Sequence, residues 1–256
     1  MAPVSPIAQP MLIAILTDLH SNREAVEACL ASAEQHGAQH YAFLGDLVGY
    51  GADPGWVLDT VMGYVRRGAV VVRGNHDEAV LQGGAHMHTA ARQAIDWTCA
   101  QMNPAQRDFL RDLPYAVEHK SCLFVHASAW NPPHWQYITG TLEAVKSMHA
   151  TRCRITFCGH VHEPALYNLS PTGKCAGFTP TPDSSILLST HRRWLAIPGS
   201  VGQPRDGNPA AAYALFDDEQ GELTFLRVPY DHELTAKKIL GARLPPYFGT
   251  RLQLGV

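Results

Sequence analysis

The stretch Met11-Leu-Ile-Ala-Ile-Leu-Thr-Asp-Leu-His20 decides the fold. It opens with an apolar run, Met11 to Leu16, that shows no alternation, the pattern of a short strand covered on both faces. The run then breaks into Asp18-x-His20, so chemistry-bearing side chains follow directly on the strand's carboxyl end. Ser21-x-x-Glu24 reads as a capping box, and the helical pattern behind it continues to about His36, where Gly37 stops it. The unit then repeats. Tyr41 to Leu44 is a second strand running into Gly45-Asp46, and Asp53-Pro54 opens a second helix that reaches about Arg67. Ala69 to Val72 is a third strand, followed by Gly74-Asn75-His76-Asp77. Strand, helix, strand, helix, strand implies a parallel α/β core with right-handed crossovers.

Outward from this core, helices are expected near 88–101, at 104–112 behind the cap Asn103-Pro104, and at 141–150. Strands at 121–125 and 154–158 run into His126 and into Gly159-His160-x-His162. Beyond residue 160 the segments 164–169, 186–190, 194–198, 211–217 and 222–228 are short and rich in β-forming residues. They read as one antiparallel layer. Asn168 to Ser185 is a polar loop or hairpin tip, Asp231 to about Leu240 a closing helix, and the tail is irregular. Residues 1–10, with three prolines and no periodicity, read as a loose arm. Residues 11–256 read as one α/β domain, two sheets face to face with helices outside.

Composition excludes several classes. A chain of 256 residues, 46% hydrophobic and 17% charged, has enough apolar material for a large core and is not disordered. Twenty basic against 23 acidic residues, a net charge of -3, argues against tracking a nucleic-acid backbone by bulk charge. Met11 to Leu16 is far too short to span a bilayer, and no basic segment precedes an apolar run as a signal peptide would require. The six cysteines form no C-x-x-C pair, which suits reduced thiols in the cytoplasm.

In a parallel sheet the carboxyl ends of the strands converge on one rim. The turns there would gather Asp18, His20, Asp46, Asn75, His126, His160 and His162. Carboxylates, an amide oxygen and imidazoles suit borderline divalent metals rather than calcium or a thiolate site. The set exceeds what one tetrahedral ion needs and suits two ions sharing a carboxylate. Gly45, Gly74 and Gly159 stand where backbone must turn and approach closely. The helix beginning near Ser21 would also aim free amides at this rim.

The ordered series D-x-H, G-D, G-N-H-D, H, G-H-x-H resembles the calcineurin-like metallophosphoesterases over roughly residues 11–230. Gly45 to Pro54 and Pro198 to Asp206 are similar to strings of the bacterial YfcE-like phosphodiesterase branch. The resemblance implies a four-layer α/β/β/α sandwich. It implies that Asp18, His20, Asp46 and His162 hold one metal, that Asp46, Asn75, His126 and His160 hold a second, and that Asp46 bridges. Manganese or iron is expected first, then zinc, nickel or cobalt. The reaction implied is hydrolysis of a small phosphate ester by a water held between the ions. Asp46 and His76 are its catalytic residues, His76 as proton donor or hydrogen bond to the phosphoryl oxygen. Asp77 either orients His76 or caps its turn.

Protein phosphatases and dinucleoside-tetraphosphate hydrolases of the superfamily carry an arginine in a D-R-G string, where this chain has Val48-Gly-Tyr-Gly51. A dianionic monoester benefits from such a guanidinium, so a phosphodiester is favoured. A phosphomonoesterase acting on phosphoprotein, nucleotide or dinucleoside polyphosphate is the alternative, and a non-catalytic scaffold a third reading. Asn75, His76, His88 and Arg205 are the candidate substrate contacts, with Arg23 and Arg73 also within consideration. For Arg205 a solvated turn and for His88 a helix start are the competing readings. The aromatic segment Trp130-Asn-Pro-Pro-His-Trp-Gln-Tyr137 either stacks on a base or aryl group or closes the core. No membrane partner is expected, and no heptad or self-complementary stretch decides for or against a homo-oligomer.

Overall fold

The computed structural model describes residues 12–85 and 87–256; the arm expected over 1–10, together with Met11 and His86, lies outside the described residues. The chain runs β1 (Leu12–Leu16), α1 (Arg23–Gln35), β2 (His40–Phe43), α2 (Pro54–Val65), β3 (Val70–Val71), α3 (Asn75–Gln82), α4 (Thr89–Gln101) and α5 (Pro104–Asp112). It continues through β4 (Ala116–His119), β5 (Cys122–Val125), a 3₁₀ turn (Pro132–His134), α6 (Thr141–His149), β6 (Ile155–Phe157), β7 (Ala165–Leu169), β8 (Cys175–Phe178), β9 (Ser185–Leu187) and β10 (Arg193–Ile197). β11 (Ala211–Asp217), β12 (Glu222–Val228), α7 (His232–Gly241) and α8 (Pro246–Leu254) complete it.

Two six-stranded mixed sheets result, in the orders β3-β2-β1-β11-β12-β9 and β4-β5-β6-β10-β7-β8. β1, β2 and β3 are parallel, as are β5, β6 and β10. The alternation of side chains along a strand explains the unbroken apolar runs. In β1, Ile13 and Ile15 face the space between the sheets, where they join Phe124, Phe157 and Phe216. Ala14 and Leu16 face the other way, onto α1 and α2 through Val26, Leu30 and Leu58. In β5, Phe124 points between the sheets while Leu123 and Val125 meet Ala144 and Met148 of α6. Three apolar layers separated by two sheets make the α/β/β/α sandwich.

Four local expectations are corrected. The late strands do not form one antiparallel layer. β10 lies parallel to β6 inside the second sheet, and β11 lies antiparallel to β1 inside the first. β10 is buried on both faces, Trp194 and Ala196 on one and Leu195 and Ile197 on the other, so only an interior position covers it. The tail is not irregular: α8 seats Phe248 and Leu252 against Ala91, Ala94 and Ile239. The cap of α1 is Asn22, whose side chain accepts from the Ala25 amide, and Ser21 is left outside in a left-handed conformation (φ 54°). Finally, Gly74-Asn-His-Asp77 is the start of helix α3 rather than a free turn.

Phe216 is 2% exposed and its ring lies 5.3 Å from that of Phe157, at the centre of the layer between the sheets. Phe216→Ala is expected to lower stability by about 3–5 kcal/mol through the cavity it leaves, read as a shift in the urea midpoint at unchanged slope.

Candidate metal centre

All the donors expected from sequence follow the carboxyl ends of β1, β2, β3, β5 and β6, six of them in turns and Asn75 at the first position of α3, and the fold brings them together. Asp18, His20, Asp46 and His162 offer one atom each within 4.8 Å of one another, and Asp46, His126 and His160 form a second such group. Asn75 joins the second: its Oδ1 lies 3.0 Å from His126 Nε2. Asp46 belongs to both. Its Oδ1 is occupied by the His76 amide at 2.7 Å, which leaves Oδ2 facing inward, 3.7 Å from His20 Nε2 and 3.5 Å from His126 Nε2.

The imidazoles are aimed by the backbone. His20 Nδ1–H donates to the Val48 carbonyl at 3.3 Å, His126 Nδ1–H to Leu44 at 2.8 Å, and His162 Nδ1–H to Gln203 at 2.6 Å. A carbonyl can only accept, so these contacts place the proton on Nδ1 and turn an unprotonated Nε2 inward. His20 Nε2 and His162 Nε2 then face each other at 3.1 Å with no proton between them. Two lone pairs at that distance repel unless a cation lies between them. In the second group the side-chain oxygen of Asn75 faces His126 Nε2, acceptor to acceptor, and His160 Nε2 is buried without a partner. The donor set therefore fits two divalent cations.

Burial followed by the Asp18 and Asp77 carboxylates pushes the Asp46 carboxyl well above its ordinary range. Burial also acts upward on Asp18, but the charge and hydrogen bond of a protonated His162, Nε2 3.2 Å from Asp18 Oδ1, outweigh it and hold Asp18 below that range; with the ring neutral, a bound cation would supply that charge instead. His20, His76 and His160 are held well below the ordinary imidazole range by burial first and neighbouring histidines second, so their rings are neutral. Neutral imidazoles are the protonation state that metal binding requires, and a cation held there would favour the carboxylate form of Asp46 against its buried, like-charged surroundings.

The backbone is strained at the donors themselves. Asp18, His20, Asp46, His160 and His162 all adopt left-handed conformations, with φ between 47° and 69°. Each such residue costs on the order of 1–3 kcal/mol and is tolerated only where surrounding contacts enforce it. The enforcing contacts are close. A Cβ on Gly74 would stand 2.1 Å from the Asp46 amide, and one on Gly159 would stand 1.9 Å from Thr17 Oγ1, so only glycine admits these approaches. Asp77 settles into the capping role. Its carboxylate accepts from the amides of Gly74 (2.8 Å), Leu47 (2.9 Å) and Val48 (3.3 Å), tying the Asp46 turn to the start of α3. Burial raises it to about 6 against those bonds. The anion-favouring amides expected from α1 are instead capped by Asn22, and α3 is the helix that begins at the centre.

Among the remaining candidates, His76 and Arg205 line the cleft over the donors, and so does His88, which also caps α4 by accepting from Ala91 N. Arg23 pairs with Glu27, and Arg73 reaches Arg111 and Tyr115, so neither points to the cleft. From the aromatic segment 130–137, Tyr137 stacks on His160 at 3.9 Å. One participant was not read from sequence: Tyr50 packs its ring 4.6 Å from His20 and 4.4 Å from His76. Gly49-Tyr50-Gly51 carried the only available signal, a bulky residue between two glycines; Tyr50 itself has φ 61°.

A sandwich of two mixed sheets bearing paired metal-donor groups at its strand ends defines a metallophosphoesterase fold. The family model described as "Calcineurin-like phosphoesterase superfamily domain" matches residues 11–221, and the chain belongs to that superfamily. It is 32% identical over 250 residues to an uncharacterized protein of Methanocaldococcus jannaschii, covering 95% of this chain and 98% of the relative. A crystal structure of a metallophosphoesterase from Sphaerobacter thermophilus superposes with a TM-score of 0.86 at 32% identity, covering 96% of this chain and 100% of that one. A hypothetical protein of Pyrococcus horikoshii shares the fold, with a TM-score of 0.78 at 20% identity over 96% and 99% of the two chains.

After loading with manganese, elemental analysis of the intact protein is expected to find about two ions per chain. His20→Ala should retain about one and Asp46→Ala close to none, because only Asp46 serves both groups. Circular dichroism would show that the variants remain folded.

Proposed function

We propose that this protein is a metal-dependent phosphoric ester hydrolase with a dinuclear centre, acting on small phosphodiesters. The observation that supports it is the pair of donor groups sharing Asp46 at the floor of an open cleft. Asp18, His20, Asp46 and His162 would hold one cation, and Asp46, Asn75, His126 and His160 the other. Imidazole, carboxylate and amide oxygen without thiolate favour manganese or iron, then zinc, nickel or cobalt. When bound, such a pair lowers the pKa of a water and neutralises charge on the phosphoryl oxygens.

The chain's own residues do the rest. His76 stands beside the Asp46 carboxylate, Nε2 4.0 Å from Oδ2, with Nδ1 buried and unpartnered against Gly49, where a Cβ would come within 2.4 Å. The ring is neutral, so it offers a single N–H. That favours a hydrogen bond to a phosphoryl oxygen over outright proton delivery. Asn75, ahead of His76 on α3, and His88 and Arg205, which line the same cleft, would orient the ester. Arg205 is the one guanidinium among the described residues lining this part of the cleft. One cation of this kind matches the single charge of a diester better than a dianionic monoester. Six unpaired cysteines, with burial raising the thiols of Cys29 and Cys158, suit a reducing cytoplasm.

Turnover of bis(4-nitrophenyl) phosphate should exceed that of 4-nitrophenyl phosphate by about tenfold or more in kcat/KM; the reverse order would favour the monoesterase reading. His76→Ala should lose about 10²–10³ in kcat, as removal of one preorganised donor does, and by the same factor for good and poor leaving groups. A loss concentrated on the poor leaving group would make His76 a general acid instead.

A further inference from the structure

The cleft continues past the donors into a second lobe. The first, about 240 Å³, carries Tyr50, His76, His88 and Arg205; the second, about 300 Å³, carries Glu78, Gln82 and Trp135. The two share Asn75, Met87, Tyr137 and His160, so the group on phosphorus can extend into either from one centre. We propose that the second lobe seats a flat, uncharged aromatic substituent of the ester, held against Trp135, Tyr137 and Met87. The proposal rests on the phosphoester-hydrolase reading and assigns the substrate class of that site.

The aromatic walls start at the metal donors. Tyr137 stacks on His160 with ring centres 3.9 Å apart and 22° between planes, and Trp135 meets the edge of His126 at 5.7 Å. Trp135 is anchored through its polar atom: the indole N–H donates to Glu78 Oε2 at 3.2 Å, while the Tyr115 hydroxyl donates to Glu78 Oε1. With that N–H satisfied by the protein, the indole contributes apolar surface to the lobe rather than a hydrogen bond. Tyr137 is 49% exposed, and covering such a ring with a planar ligand removes apolar surface from water. Met87 adds a polarizable side chain that adapts to ring shape.

Charge selects what enters. Among the described lining residues of this lobe Glu78 is the only acid and there is no lysine or arginine, whereas Arg205 lies in the other lobe. An anionic substituent is therefore disfavoured here and a neutral ring is not. Two lobes of opposite character around one centre match a diester, whose phosphorus carries two substituents, and a nucleobase or an aryl group presents the same flat neutral face to the aromatic lobe.

The test is calorimetric titration of the manganese-loaded protein with two pairs of ligands, phenylphosphonate against methylphosphonate and adenosine 5′-monophosphate against ribose 5-phosphate. The ring should tighten binding by about fivefold or more, the scale of stacking on an aromatic side chain. Trp135→Leu and Tyr137→Leu should bring each ratio to about twofold or less, and Trp135→Phe should keep it. Inorganic phosphate should bind all four proteins alike. An advantage in one pair alone upholds the lobe and identifies aryl or nucleobase as its occupant. Ratios near unity in the wild type, or ratios that survive both leucine variants, overturn it. If neither inorganic phosphate nor any phosphonate binds, the hydrolase reading itself fails. Free adenosine then decides the lobe separately, upholding it if binding is lost in Trp135→Leu and overturning it if adenosine does not bind.

Discussion

Unprotonated nitrogens buried face to face, His20 Nε2 against His162 Nε2 at 3.1 Å, are the contact on which the rest of this structure turns. In each neutral ring the one N–H is on Nδ1 and donates to a backbone carbonyl, so Nε2 has no proton with which to relieve the repulsion. The protein holds the arrangement by spending stability on it, in left-handed backbone at five donors and in glycines that nothing larger can replace. A site built this way is preorganised for positive charge before any cation arrives.

The sandwich explains how so much strain is carried. Three apolar layers clamp the two sheets, and the strained turns are the short exits from strands buried on both faces. The turns are also stitched to one another. Asp77 bonds the amides of the Asp46 turn, the Asp18 carboxylate accepts from the His160 amide and from Thr17 Oγ1, and Ser200 donates to the Asp18 carbonyl. Residues from both sheets therefore meet at one carboxylate pair, and the centre doubles as a joint between the sheets.

Electrostatics divides labour in the cleft. Burial keeps the histidines neutral and available as donors to metal, while Arg205 alone among the described lining residues brings fixed positive charge to one side. The adjoining lobe is aromatic and carries Glu78, bonded to Tyr115 and Trp135. Tyr50 links the centre to the last helix, since its ring contacts His20, His76 and Phe248 of α8. The C-terminal segment thus supports the floor of the cleft rather than trailing from it.

Local signals in the chain were enough for the parallel core, the strands and helices to residue 160 other than α3 and β4, and the gathering of the seven donors on one rim. An apolar run without alternation, a glycine and a ligand-type residue are all near neighbours in sequence. The cap at Asn22, the split of the late strands between two sheets, and helix α8 depended on partners far along the chain: Gly202 for Asn22, β1 and β6 for β11 and β10, and α7 for α8. The roles of Asp77, Tyr50, Tyr137 and Trp135 depended on the same thing. Whether a carboxylate caps a turn, or an aromatic ring walls a cleft, is decided by which distant backbone or ring it meets, and that information exists only once the sheets have packed.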